Sequence, residues 1–299
     1  MKTDMKRTLS RRGMLVHSAQ VLAALSLCQG CAPFTGRQAR AHRGFKIGIC
    51  DWTLGKATNP ESLVLAKRLG LDGVQVDCGS PQEGKLPLSH PDLQERFRKT
   101  SREQSIAIAS LGMCTLNSYP LKSDSRAEGW LSDAIAACSA MGVRVILVPF
   151  FGDGDLRGDT KGTDTVAAKL KNLAPKAQKA GVVLGFESWL NAEQHMDILR
   201  RVGSPALQVY YDLGNSHKCG YDIFKEIRYL GKHICEFHAK DYDGLYGKGS
   251  IDFPKVRQAM DDIGYRGWIV MEGTEMPLGV EESCRYDLAY LRGVFPQVL

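Results

Sequence analysis

Beyond residue 43 the chain has no two cysteines at metal-ligand spacing. The seven that lie there (Cys50, Cys78, Cys114, Cys138, Cys219, Cys235 and Cys284) form an odd set without close pairs. That excludes a cysteine-built zinc module and argues against a disulfide framework, leaving the small buried hydrophobe as the ordinary reading of each thiol. No glycine-rich dinucleotide fingerprint and no Walker lysine follows any apolar run, so the nucleotide-binding readings of an α/β chain fall away. Also missing are a repeat of solenoid length and a basic stripe interleaved with aromatics, the footprint that tracks a nucleic acid.

Net charge is scarce once it is located. The formal value is +6, but residues 1–43 hold eight Lys/Arg and one Asp, which leaves 31 basic against 32 acidic residues beyond. A near-neutral body of this kind is not expected to bind nucleic acid. In the basic segment, Lys6 and Arg7 precede Ser10-Arg11-Arg12-Gly13-Met14-Leu15, which resembles a twin-arginine export signal. The apolar run from Val16 to Leu27 that follows is too short to span a bilayer. Residues 1–43 therefore read as export signal and linker, and 44–299 as one folded domain. Cys31 after Gly30 reads as a lipid-modified cysteine, although Cys28 is unusual three positions before it, and Ala39-Arg40-Ala41 is a competing cleavage site. The expected destination is the periplasm or cell envelope, with membrane attachment only through the leader or a lipid anchor.

What is abundant is alternation. With 43% hydrophobic residues the chain can build one large core. Eight short apolar runs predict strands at Phe45–Cys50, Gly73–Cys78, Ile106–Leu111, Val143–Val148, Val182–Glu187, Leu207–Asp212, Ile234–His238 and Trp268–Glu272. Amphipathic segments near Glu61–Leu69, Pro91–Gln104, Ala127–Met141, Thr165–Ala180, Glu193–Val202, Ile223–Leu230, Phe253–Ile263 and Glu282–Gly293 predict the helices between and after them. Eight βα units in roughly 250 residues fit a closed (β/α)₈ barrel better than an open sheet. The longer connections follow the second, third, fourth and seventh strands, and so gather on the face where barrel active sites lie.

Four successive predicted strands end in Glu187, Asp212, His238 and Glu272. On a barrel these become neighbours around one mouth, where three carboxylates would repel one another unless protonated or neutralised by a cation. Oxygen-rich ligation with one nitrogen suits a single Mn²⁺, Mg²⁺ or Co²⁺, with Zn²⁺ open. Each residue alone has an ordinary reading as a cap, a core histidine or a solvated rim. Four consecutive strand ends together do not. Trp52, Phe150, Phe151 and Trp189, at or just past strand ends, could stack on a sugar ring or simply line the mouth.

The segments Gly185-Phe186-Glu187-Ser188, Tyr210-Tyr211-Asp212-Leu213-Gly214-Asn215, Glu236-Phe237-His238-Ala239-Lys240-Asp241 and Ile269-Val270-Met271-Glu272 resemble the metal-bearing strand ends of the xylose isomerase-like barrel superfamily. Gly247-Lys248-Gly249-Ser250-Ile251-Asp252-Phe253 is similar to the loop before its seventh helix. The resemblance implies that Glu187 and Glu272 act as ligands and as the acid/base pair, with Asp212 and His238 completing the metal site. It also implies a substrate contact at Glu193, whose equal alternative is a solvated helix face; Asn215, His217 and Trp52 are further candidates by position, and Lys240 could polarise a substrate oxygen or simply close the loop as a surface pair with Asp241. Asn215 stands where the family's ketose 3-epimerases carry a histidine, His217 being the nearest substitute, and Gly244 stands where they carry an arginine. Lys240-Asp241 instead resembles the isomerase and inosose dehydratase branches. The expected activity is a metal-dependent isomerase or epimerase taking a proton beside a carbonyl of an unphosphorylated sugar or keto-sugar. The alternatives are a dehydratase or lyase on the same scaffold, and a metal-bearing carbohydrate-binding protein without turnover. Homo-oligomerisation stays open.

Overall fold

The computed structural model describes residues 44–273 and 275–297; the expected leader, residues 1–43, lies outside the described residues. Eight parallel strands close into a barrel in chain order: β1 Lys46–Cys50, β2 Gly73–Asp77, β3 Ala107–Gly112, β4 Val145–Phe150, β5 Val183–Ser188, β6 Leu207–Asp212, β7 Ile234–Ala239 and β8 Trp268–Met271. Around them run α1 Glu61–Leu69, α2 Pro91–Gln104, α3 Ala127–Ala140, α4 Thr160–Ala180, α5 Ala192–Val202, α6 Leu213–Lys218, α7 Ile223–Leu230, α8 Phe253–Asp262 and α9 Val280–Val294. The (β/α)₈ barrel expected from the alternation is what forms.

Period two along each strand separates two cores. Ile47, Ile49, Val74, Val76, Ile146, Val148, Phe150, Leu184, Phe186, Tyr211, Phe237 and Ile269 join the helices in one continuous outer cluster. Inside the barrel are smaller groups, Cys50, Ala109 and Val270 with Trp52 and Trp268, and Val145, Leu147 and Tyr210 with Val183 and Cys235. Gly73 makes room for one of the large interior rings: a Cβ there would lie 2.6 Å from Trp268 Cη2 and 2.9 Å from the Ala107 carbonyl.

Strand bounds shift by one or two residues, β4 running Val145–Phe150 where Val143–Val148 was expected, and two larger departures fall at helix starts. Helix α4 begins at Thr160, five residues earlier than expected, because Asp159 caps it by accepting from the Gly162 amide at 2.8 Å. Helix α6 has no counterpart in the sequence reading: Asp212, the last residue of β6, is itself the N-cap of the helix that follows without a loop. No helix among the described residues is long and apolar enough to cross a membrane.

Candidate metal centre

The same period of two that builds the barrel aims its last inward residues at one point. Beyond Val183 and Gly185 the inward face of β5 ends at Glu187, and beyond Trp268 and Val270 that of β8 ends at Glu272. Asp212 and His238 are register partners on β6 and β7, because the pairing slips by one residue between Val209 and Tyr210. Without that slip Phe237, which packs outward, would lie beside Asp212.

Each of the four side chains offers a donor atom, all within 4.8 Å of one another. His238 Nδ1 lies 2.8 Å from Glu187 Oε1, 3.4 Å from Glu272 Oε2 and 3.8 Å from Asp212 Oδ2. Its other ring nitrogen faces Gln75 Oε1 at 2.7 Å. On its far side the Gln75 amide is held by Ser110 and Tyr210, Nε2 donating to Ser110 Oγ at 3.0 Å and to Tyr210 OH at 3.2 Å. Both ring nitrogens are engaged, Nε2–H donating to Gln75 and Nδ1–H to Glu187, and it is the Nδ1 proton that a metal among the three carboxylates would displace. Holding the ring from behind in this way is how proteins orient a metal-binding imidazole. Donors around one divalent ion sit about 2.0–2.3 Å from it, so the cluster could close on a metal with small side-chain movements.

Its electrostatics are asymmetric. Burial raises the Glu187 carboxyl to about 7, partly offset by His238. Burial alone would also raise Glu272, but His238, Lys240 and the Trp52 N–H bring it down to about 2. Lys240 Nζ donates to Glu272 Oε2 at 2.8 Å and lies 3.7 Å from Asp212 Oδ2, while Trp52 Nε1 donates to Glu272 Oε1 at 3.1 Å. Burial disfavours the ammonium of Lys240, yet the Asp212 and Glu272 carboxylates push its pKa up overall. His238 is likewise shifted upward: burial opposes its proton, and the carboxylates of Glu187 and Glu272 outweigh burial.

Above the cluster opens a cavity of about 450 Å³ whose wall includes Trp52, Asp77, Cys114, Asn117, Leu147, Pro149, Phe151, Trp189, Asn215, Lys240 and Tyr242. Of the residues the sequence pointed to, Glu187, Glu272, Trp52, Asn215 and Lys240 share this space. Phe151 and Trp189 line it side by side, ring centroids 5.1 Å apart, whereas Phe150 points outward and stacks on Phe186 at 4.3 Å. Asn215 faces Asp212: its backbone N–H and Nδ2 each donate to that carboxylate at 2.8 Å, and Tyr242 OH donates to its Oδ1 at 2.6 Å.

Two residues expected at the substrate stand elsewhere. Glu193 is exposed in the first turn of α5 and borders a separate surface cavity with Leu156, Asp159 and Arg201, since the chain turns outward through the Asn191 capping box. His217 is exposed in a different cavity beyond Tyr242. Two residues of helix carry it to the face of α6 opposite Asn215, so it does not substitute for a cavity histidine. Sequence reasoning missed Gln75, Asp77, Cys114, Asn117 and Tyr242. A signal was present for the first two, because in Gly-Val-Gln-Val-Asp the polar residues fall on the inward parity of β2.

A family model described as xylose isomerase-like TIM barrel matches residues 63–293. A 2-epi-5-epi-valiolone 7-phosphate 2-epimerase from Actinoplanes sp. is 27% identical over 178 residues, 59% of this chain and 65% of that enzyme, so the chain spans just under two thirds of it. The L-ribulose-5-phosphate 3-epimerase UlaE of Salmonella typhi is 24% identical over 230 residues, 71% of this chain and 81% of the enzyme. Among solved structures, a D-psicose 3-epimerase in the presence of D-fructose superposes with a TM-score of 0.71 at 15% identity, over 84% of this chain and 99% of that one. The 3-keto-D-glucoside 4-epimerase YcjR of E. coli gives 0.70 at 17% identity, over 83% and 99%. At such identities the likeness to solved structures is one of fold. The family match spans well over half of the sequence, and the chain therefore belongs to the xylose isomerase-like TIM barrel family, with sugar epimerases among its relatives.

Proposed function

We propose that this protein is a divalent-metal-dependent isomerase or epimerase that moves a proton beside the carbonyl of an unphosphorylated sugar or keto-sugar. The observation that carries this reading is the convergence of Glu187 and Glu272 with Asp212 and His238 beneath a cavity of sugar size. The donor set fits one Mn²⁺, Mg²⁺ or Co²⁺, with Zn²⁺ the alternative. Such an ion would polarise a carbonyl oxygen and offset the charge gathered when the neighbouring C–H is ionised.

The chain's own residues supply the proton transfer. Glu272 is oriented through both oxygens by Trp52 and Lys240 and stays ionised. Glu187 contacts His238 through one oxygen. Environments that push two facing carboxyls apart in pKa suit them to take and return a proton from opposite sides of one carbon. Lys240 is placed to steady a substrate oxygen, and Phe151 with Trp189 offers aromatic faces for a sugar ring.

The curated relatives described above are named for phosphorylated substrates, so the uncharged substrate rests on the cavity itself. Among the described residues its wall contains one cation, Lys240, already shared between Glu272 and Asp212, and no arginine. A phosphate would need a free cation or an open helix N-terminus there, and that of α6 is already capped by the Asp212 carboxylate. An exported enzyme would also meet few phosphosugars, and we propose that residues 1–43 direct export.

The test is to incubate metal-loaded protein with paired free and phosphorylated sugars and keto-sugars, reading product mass. Turnover of a free sugar to a product of equal mass supports the reading. Loss of water or of a departing sugar replaces it with a dehydratase or lyase, and turnover of phosphate esters alone overturns the substrate assignment.

A further inference from the structure

We infer that Asp77 is the specificity-determining residue of this cavity, accepting hydrogen bonds from hydroxyls of an uncharged polyol and disfavouring its phosphate ester. This rests on the reading of the cavity as a sugar site. Asp77 ends β2, which in the closed ring of eight stands four strands from β6, so it lies across the mouth from Asp212. It lines the same cavity as Glu187 and Glu272.

Three observations make it more than a bystander. First, its Oδ1 is buried and has no hydrogen-bond partner. A buried acceptor left unmade is destabilising, and a bound hydroxyl would remove that cost. Second, its backbone is pinned: the fully buried Asp51 accepts from the Asp77 amide at 3.1 Å and from the Thr58 amide at 2.8 Å, tying the end of β2 to the loop after β1. Third, the surface between Asp77 and the metal cluster is apolar. Trp52 donates from Nε1 to Glu272, while the far edge of its ring crowds Gly112 at the end of β3, where a Cβ would lie 3.1 Å from Trp52 Cζ3. A sugar lying along Trp52 would then meet the metal cluster at one end and a carboxylate at the other. At that second end a hydroxyl donates and a phosphate is repelled, because two anions with no cation between them gain nothing from approach.

The experiment measures binding and turnover together in the full chain. Titration calorimetry with Mn²⁺, and of the Mn²⁺-loaded protein with unreactive pentitols and hexitols, is run on wild type, Asp77→Asn and Asp77→Ala. Turnover of free and phosphorylated sugars is compared in parallel. The expected result is a loss of roughly 10- to 100-fold in polyol affinity, matching one or two hydrogen bonds to a charged group, with Mn²⁺ affinity unchanged. The loss in turnover should fall on KM more than on kcat, and the preference for free sugar over phosphate ester should narrow in Asp77→Asn. Polyol affinity equal to wild type in both variants overturns the inference, as does a parallel fall in Mn²⁺ affinity, which would mark a structural role. Wild type that binds no polyol also overturns it. If polyol binding depends on Asp77 but no sugar turns over, the inference holds and the isomerase reading fails.

Discussion

At the scale of single residues, the orientation of His238 is set on the side of the ring away from the acidic cluster. Gln75 accepts from Nε2–H, and its own amide is bonded to Ser110 and Tyr210. Gln75→Leu should therefore lower Mn²⁺ affinity by about 10- to 100-fold, the usual consequence of losing such a partner, with an unchanged circular dichroism spectrum; calorimetry reads it. A second informative histidine is His195, buried on α5 against the end of β5. Its Nδ1–H donates to the Asn191 carbonyl at 3.0 Å, and its Nε2 accepts from Ser188 Oγ at 3.1 Å. Burial, only partly opposed by the Asn191 carbonyl, pushes its pKa down from 6.5 to about 4. The folded protein thus keeps His195 neutral at a pH where the unfolded chain is already protonated. Stability from this group is full above pH 6.5 and is lost as pH falls towards 4. Denaturant melts across that window should show a shallower decline for His195→Gln than for wild type. The inward parity of Gln75 was legible in the sequence but the partners of Gln75 and His195 were not, since a lone Gln or His acquires them only when the chain folds around it.

At the scale of elements, the strand ends were readable and the starts of some helices were not. An apolar run that stops at Glu, Asp or His marks the point where a strand leaves the core, and all four marked ends converge. Helix α6 escaped because Asp212-Leu213-Gly214-Asn215 has the composition of a turn, and only the hydrogen bond from the Asn215 amide to Asp212 shows a cap. The one-residue slip between β6 and β7 was also invisible, although it is what sets His238 beside Asp212. Elements of the barrel interlock through size as well as register. Gly73→Ala on β2 would drive a methyl into Trp268 of β8 at 2.6 Å and the Ala107 carbonyl at 2.9 Å. Overpacking of this kind costs about 1–3 kcal/mol, so thermal melting should show a fall in Tm of several degrees with the metal site retained.

At the scale of the whole molecule, eight alternations of short apolar run and amphipathic segment were enough to specify a closed barrel, because the longer connections crowd one face and no glycine-rich nucleotide signal competes. The substrate end of the cavity was less legible: Asp77, Asn117 and Tyr242 reach it from three separate loops or strand ends, and spacing along the chain does not report that. The basic leader is a separate question with its own test. Replacing Arg11 and Arg12 by Lys should retain the protein in the cytoplasm on cell fractionation, and unchanged export would exclude the twin-arginine reading. Proton transfer by Glu187 and Glu272 at a metal-dependent sugar site is the step on which the proposed function stands, and solvent exchange reads it without intermediaries. Metal-loaded protein is incubated in D₂O with a panel of free sugars and keto-sugars, and deuterium in the recovered sugar is read by mass spectrometry. Uptake at one carbon is expected, abolished by chelation and reduced about 10²- to 10⁴-fold, the worth of a general base, in Glu187→Gln and in Glu272→Gln. Uptake that persists in both variants, or none with any sugar, would contradict that proton transfer.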